Sequence, residues 1–407
     1  MIRKRHSSHE DFIKQFVIIE QADNTARKVK RMKAKSIAAT AKKAANKAAV
    51  KRPAARKTKN NSVKPPAGGV KHINLALQGG GAHGAFAWGV IDKFLEDGRI
   101  EIEGLSGTSA GSMNAVVYAY GALKGKDGAR QALHDYWQAI SDAGQKYSMV
   151  KRSPWEQMFG GWTMDKSLAS EGFKLLTSTF SPYQLNPMNF NPLREVLEAH
   201  VDFAALDASR TTKLFLSATN VRTGKVKVFH THEITADVVL ASACLPFLFQ
   251  AVEIDGEHYW DGGYMGNPVL YPLFYYTDSR DVVILHINPI ERPGPPTQSS
   301  EIANRVNEIT FNSSLIKELR SVYFVQQLLD QGKIKDEYRD EFKYVLIHSV
   351  RADNALSDLS VSTKFASEWE FLTMLRDRGR ACASEWIENH FDDLGVRSSV
   401  DLKREFL

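Results

Sequence analysis

From residue 73 onward, short apolar runs alternate with longer stretches whose apolar positions recur at helical spacing. Ile73 to Gln78 reads as a buried strand. Ala85 to Glu96 reads as a helix with Phe86, Val90, Ile91, Phe94 and Leu95 on one side. Ile100 to Leu105 is the next strand, Ser109 to Tyr120 the next helix, and Arg130 to Ile140 continues helical. Asn191 to His200 is a helix and Lys213 to Thr219 a strand, with Val226 to Phe229 as its hairpin partner across Arg222-Thr223-Gly224. Thr235 to Cys244 is a helix stopped by Pro246. Gln250 to Ile254 and His258 to Trp260 form a hairpin around Asp255-Gly256. Val282 to Ile287 is a buried strand. After Pro293-Gly294-Pro295-Pro296 the pattern is mostly helical, with Phe342 to Ser349 as one strand. This alternation predicts an α/β fold whose mainly parallel sheet is covered on both faces.

Two stretches break the rhythm. Residues 145–190 scatter Trp155, Met158, Phe159, Trp162, Met164, Phe180 and Tyr183 among Gly and Pro, and read either as a lid over a site or as a loop packed on the core. Residues 1–70 carry 19 Lys/Arg against four acids, while the whole chain of 407 residues has a net charge of only +6. The basic character therefore belongs to a tail and the body is acidic. Residues 24–70 contain no acid and are dominated by Ala, Lys and Pro, a composition that buries too little apolar surface to offset ordering entropy. The expected organisation is a disordered basic tail and linker over 1–72, a catalytic domain over 73–275, and a mainly helical region over 276–407. A tail of this charge binds polyanions in a salt-sensitive, sequence-independent way. The partners it suggests are an anionic membrane or storage-granule surface and, through residues 24–64, nucleic acid without sequence preference. The two cysteines, Cys244 and Cys382, suggest neither a disulfide framework nor a zinc site. No window reaches 18 apolar residues, so the expectation is a cytoplasmic protein, peripheral at such a surface.

Three local patterns carry chemistry. Ser109 lies at the apex of Gly107-Thr108-Ser109-Ala110-Gly111, between a strand and a helix. The flanking glycines allow a sharp turn that would expose one hydroxyl at the positive end of a helix. The competing reading is a helix N-cap serine. Gly79-Gly80-Gly81-Ala82-His83-Gly84 is a second strand-to-helix loop. It lacks the Lys-Ser/Thr of a phosphate loop and the acidic residue of a dinucleotide site, and instead suits backbone donors for an oxyanion. Asp261, in Trp260-Asp261-Gly262-Gly263, could act as a general base without a histidine, or be a plain Asp-Gly turn.

Taken in order with Ala241-Ser242-Ala243-Cys244-Leu245-Pro246, these motifs make residues 73–272 resemble patatin-like phospholipases, lipid acyl hydrolases with a Ser–Asp dyad. The resemblance implies a three-layer α/β/α fold, no metal or other cofactor, and a lipid or other acyl-ester substrate. It implies Ser109 as nucleophile, Asp261 as general base, and the Gly79, Gly80 and Gly81 amides as the oxyanion hole. Ala110 N–H is expected to join them, with Gly107, Gly111, Gly262 and Gly263 in support. His83 departs from the arginine that many relatives have there. Two alternatives stand beside this reading. One is a Ser-His-Asp esterase of the α/β-hydrolase type, which would draw on His83 or on His286, His348 or His390. The other is a catalytically idle protein that binds polyanions through its tail.

Overall fold

In the computed structural model of this chain, the described residues are 69–148, 162, 168–209, 211–292, 294–335, 337 and 342–407. The expected basic tail lies outside them up to residue 68, as do Trp155, Met158, Phe159 and Met164 of the aromatic insert. The described residues form one unit within Pro65–Leu407.

The chain opens on β1 (Lys71–Leu77), then α1 (Gly84–Asp97), β2 (Ile100–Gly107), α2 (Ala110–Ala122) and α3 (Gly125–Tyr147). Next come α4 (Leu168–Thr179), α5 (Pro182–Leu185), α6 (Pro192–His200) and α7 (Phe203–Ala208), then β3 (Lys213–Asn220) and β4 (Val226–His230). After α8 (Ala236–Ser242) follow β5 (Val252–Ile254), β6 (Glu257–Asp261), α9 (Tyr271–Tyr276) and β7 (Asp281–His286). The long α10 (Ser299–Asp330), β8 (Leu346–Arg351), α11 (Trp369–His390) and α12 (Leu402–Phe406) complete the fold. Two strands of the sheet, β7 and β8, thus come from beyond residue 275, where the catalytic part was expected to end.

The eight strands form one sheet in the order β5-β6-β3-β2-β1-β7-β8, with β4 also on β3. The ladders from β3 through β2, β1 and β7 to β8 are parallel. The hairpin partners β4, β5 and β6 pair antiparallel. Side chains of a strand alternate between faces, and the sheet has a core on each. Ile73, Leu75 and Leu77 of β1 pack with α1, α2 and α11, whereas Ala76, Val282 and Ile284 pack with Leu273 of α9 and Leu315 and Leu319 of α10. The result is the three-layer α/β/α arrangement with a mainly parallel sheet.

The element ends differ from the sequence reading in instructive ways. The helix expected from Ala85 is buried on nearly every side, not one, because α1 lies between the sheet and α11. Cys244 lies two residues beyond the end of α8, in the loop that leads to Pro246. The last strand begins at Leu346, four residues later than expected, because Phe342 is exposed and the pairing with β7 starts at Leu346.

Helices α1 and α11 cross at two glycines. A Cβ on Gly89 would stand 2.7 Å from the Arg376 backbone carbonyl carbon, and one on Gly379 would stand 3.0 Å from that of Phe86. Alanine in place of a helical glycine ordinarily gains about 1 kcal/mol in propensity. Here backbone overlap opposes it with about 1–3 kcal/mol of overpacking. Gly89→Ala is therefore expected to lower stability by up to about 2 kcal/mol. Gly172→Ala, on α4 with nothing within 4 Å of its Cβ, is expected to raise it. Urea titration of both variants checks the pair.

Candidate active site

The turn between β2 and α2 is strained at one residue. Ser109 has φ 54° and ψ −122°, a conformation that costs a non-glycine residue about 1–3 kcal/mol and needs outside support. Its N–H donates to Ser242 Oγ at 2.9 Å, and that hydroxyl also meets Ser112 Oγ at 2.7 Å. Thr108 Oγ1 lies 2.7 Å from Ser217 Oγ and donates to the Gly266 carbonyl at 2.7 Å. Gly111 brings α2 against the end of β1, where a Cβ would stand 2.8 Å from the Leu77 carbonyl carbon. The Ser109 side chain makes no capping bond to α2. Ser109 thus stands at the N-cap position of α2 without capping it, and this half-buried residue keeps its hydroxyl free of the helix.

Asp261 ends β6 and reaches the same place by the sheet. Ala218 of β3 pairs with Asp261, while Leu216 of β3 pairs with Gly107 of β2. Residues 215–219 of β3 pair with β4 along the other edge, so β2 and β6 follow one another on a single edge. The Asp261 side chain is 1% exposed. It accepts the Gly263 N–H at 2.7 Å, and the Ser109 hydroxyl stands close enough to favour its ionised form. Its own N–H donates to the Cys244 carbonyl at 2.8 Å. The 241–246 segment thus holds both the serine, through Ser242, and the aspartate, through Cys244. Burial pushes the Asp261 carboxyl up to about 6 despite the opposing pull of the Gly263 N–H, the Ser109 hydroxyl and the positive field of Lys364. Gly262 and Gly263 admit the backbone of Ser217 and the ring of Phe311, which carbons in their place would meet at 2.7 and 2.8 Å.

The glycine loop packs directly on the serine. A Cβ on Gly79 would stand 2.8 Å from Ser109 Cβ. Gly81 adopts a left-handed φ of 57°. The expected donors divide here. The Gly79 N–H is taken, donating to Asn267 Oδ1 at 2.6 Å, so this amide is not free for an oxyanion. Among the described residues, the Gly80, Gly81 and Ala110 amides find no acceptor. Behind the loop lies a buried amide cluster. Gln78 Oε1 accepts from the Ile287 and Asn288 N–H groups at 3.0 Å each, and Gln78 Nε2 donates to Asn312 Oδ1 at 3.0 Å.

No described histidine bonds to Ser109 or Asp261. His83 is buried, hydrogen-bonded to Thr363 Oγ1 at 2.7 Å, and burial drives its pKa down to about 3, so it is neutral. His348 lies between Asp281 and Ser399, and His390 bonds to Asp393. His286 stacks on Phe406.

Residues 75–273 match the family model described as patatin-like phospholipase. The chain carries a patatin-like phospholipase domain. At the level of that family it is an enzyme that hydrolyses lipid esters. A search of curated proteins returns no match. Among solved structures, VipD from Legionella pneumophila overlaps with 15% identity and a TM-score of 0.37, covering 79% of this chain and 67% of its own. The ExoU–SpcU complex from Pseudomonas aeruginosa overlaps with 17% identity and a TM-score of 0.25, covering 80% of this chain and 61% of the matched chain. No helix among the described residues is long and apolar enough to cross a membrane.

Several residues that shape this patatin-like site escaped the motif reading. Asn267, Asn288 and Lys364 are single polar residues on loops far apart in the chain, and nothing local marks them. Gln78, directly before the glycines, and Ser242, inside a recognised motif, stood in plain view without an evident role. A cavity of about 380 Å3 beside Cys244 has a mostly polar lining that includes Asn191, Arg194, Gln250 and Tyr183.

The raised pKa of Asp261 has a sign for stability. Below about pH 4 the carboxyl is neutral both folded and unfolded, and its burial costs nothing through ionisation. Above about pH 6 the folded protein carries the full cost of a buried charge. Asp261→Asn is therefore expected to be more stable than wild type at pH 7.5, by no more than about 3 kcal/mol, with the difference gone near pH 4. Urea unfolding at the two pH values measures it.

Proposed function

We propose that this protein cleaves fatty acyl esters through a Ser109–Asp261 dyad and an acyl-enzyme intermediate. The observation that carries the reading is the buried Asp261 carboxylate brought by the sheet beside a serine hydroxyl at a strained, uncapped apex. Ser109 Oγ attacks the ester carbonyl while Asp261 takes its proton. Negative charge builds on the carbonyl oxygen, within reach of the Gly80, Gly81 and Ala110 amides and the N-terminus of α2. As the tetrahedral species collapses, the carbon–oxygen bond to the alcohol breaks and the alcohol leaves with the proton from Asp261. Water then repeats the sequence. Asp261 takes its proton, hydroxide adds to the acyl carbon, and the fatty acid departs as Ser109 Oγ regains a proton. Gly79 serves by orientation, its amide being anchored on Asn267.

A protein that acts on lipid esters needs an interface. The basic residues of the tail, which lie outside the described residues, would hold it at an anionic membrane or granule surface in the cytoplasm; binding of nucleic acid by residues 24–64 is the competing use of the same charge.

The test is hydrolysis of p-nitrophenyl butyrate and of phospholipid vesicles by wild type, Ser109→Ala and Asp261→Asn. Both variants are expected to lose at least about a thousandfold in kcat while remaining folded. Asp261 must be ionised to accept the proton, so kcat/KM is expected to fall as pH drops through about 6. A Ser109→Ala enzyme with wild-type turnover would remove the dyad from consideration.

A further inference from the structure

One of the amides left free for the oxyanion, that of Gly80, belongs to the Gly79–Gly80 peptide. In a trans peptide the C=O and the N–H point in opposite directions. What binds the Gly79 carbonyl therefore sets the aim and the polarity of the Gly80 N–H. Asn288 Nδ2 donates to the Gly79 carbonyl at 2.8 Å. Asn288 Oδ1 in turn accepts from Lys364 Nζ at 2.8 Å. The line from ammonium to amide to peptide ends at the Gly80 N–H. We propose that Lys364 and Asn288 are positioning residues that polarise the Gly79–Gly80 peptide and so strengthen its hold on the oxyanion.

The surroundings of Lys364 fit that role. It sits in the turn Val361–Phe365, whose backbone packs against Gly81 and whose Thr363 bonds to His83. Among the described residues, no carboxylate lies within ion-pair distance of its ammonium. Its remaining acceptor is Asn307 Oδ1 at 3.5 Å, and its Nζ lies 5.6 Å from the centre of the Phe311 ring. A half-buried cation without an ion-pair partner projects its field outward instead of cancelling it locally. The charged groups that face it are Glu308 of α10 and Asp261 of β6, which favour its protonated form, and Arg292, which disfavours it; burial dominates and brings its pKa down to about 8. The His83 ring beside it is neutral. The same field reaches Asp261 and lowers its pKa. One ammonium therefore acts on both halves of the reaction, favouring an ionised base and a polarised donor.

This inference rests on the Ser109–Asp261 reading, and the experiment separates the two. Wild type, Ser109→Ala, Lys364→Met and Lys364→Arg are compared for p-nitrophenyl butyrate hydrolysis from pH 5 to 10, with thermal melting as the control for folding. Methionine keeps the length of the side chain and removes the charge. Lys364→Met is expected to lose about ten- to thirtyfold in kcat at pH 7.5, with KM changed less than twofold. Its acid limb is expected to move to higher pH, because Asp261 loses a neighbouring positive charge. In wild type, activity is expected to decline above about pH 8 as Lys364 deprotonates, and Lys364→Arg is expected to remove that decline.

A Lys364→Met enzyme with wild-type kcat and an unmoved acid limb overturns the inference and leaves the dyad standing. Equal loss in the methionine and arginine variants, with lowered melting and no movement of either limb, also overturns it by showing a purely structural role. If wild type neither hydrolyses the ester nor takes a fluorophosphonate label at Ser109, the dyad reading fails and this inference falls with it.

Discussion

One edge of β3 carries β2 and then β6, and the site depends on that succession. Strand residues rise about 3.3 Å each, so the partners of Gly107 and Asp261, two residues apart on β3, stand about 7 Å from one another. That spacing is bridged by the lengths of a serine and an aspartate side chain. The parallel half of the sheet delivers the serine at a carboxyl end, where an elbow can turn into a helix. The antiparallel hairpin of β5 and β6 delivers the carboxylate from the opposite chain direction. The segment after α8 then fastens the two arrivals to each other through Ser242 and the Cys244 carbonyl.

Such a site is costly to hold. Ser109 sits in a disfavoured backbone conformation, Asp261 keeps a carboxyl out of water, and Gln78, Asn288 and Asn312 are polar groups deep in the interior. Buried polar groups are tolerable when their donors and acceptors are matched. The Gln78 side chain shows how tightly this is done, with its oxygen shared by two backbone N–H groups and the Asn288 amide, and its nitrogen by Asn312 and the Asn267 carbonyl. Apolar cores on both faces of the sheet offset the local costs. The polar layer sits at the strand ends, where the sheet's own hydrogen bonds stop.

The order of strands was legible because a parallel sheet covered on both faces leaves a repeating signature, and every strand from β1 to β7 lies within a few residues of its expected place, whereas α4, α5, α7 and α9 fall where no helix was expected. The Ser109 and Asp261 motifs were legible for a different reason. Each is local, and glycines stand where a backbone must come close. Two things were hidden. The face of α1 that meets α11 could not be told from its sheet-facing side, since both are apolar. The Gly79 amide could not be seen to turn toward Asn267, because a run of glycines shows that a loop can bend but not which N–H groups it leaves free. Asn267 and Asn288 are single amides on strand-end loops, and only the sheet order β2-β1-β7 brings the Asn288 loop behind the glycines.

The same limit applies to charge. The glycine loop holds His83 and neither Lys nor Arg, so from the sequence alone it carries no fixed positive charge. His83 is neutral, yet its bond to Thr363 draws in the turn that carries Lys364. In the proposed arrangement the cation acts from outside the loop, through Asn288, on the carbonyl side of the peptide instead of the donor side. An electrostatic requirement constrains where a charge sits in space and leaves its position in the chain free. A loop can therefore lack a charged residue of its own while the site has the field, provided that some other turn packs against the same loop.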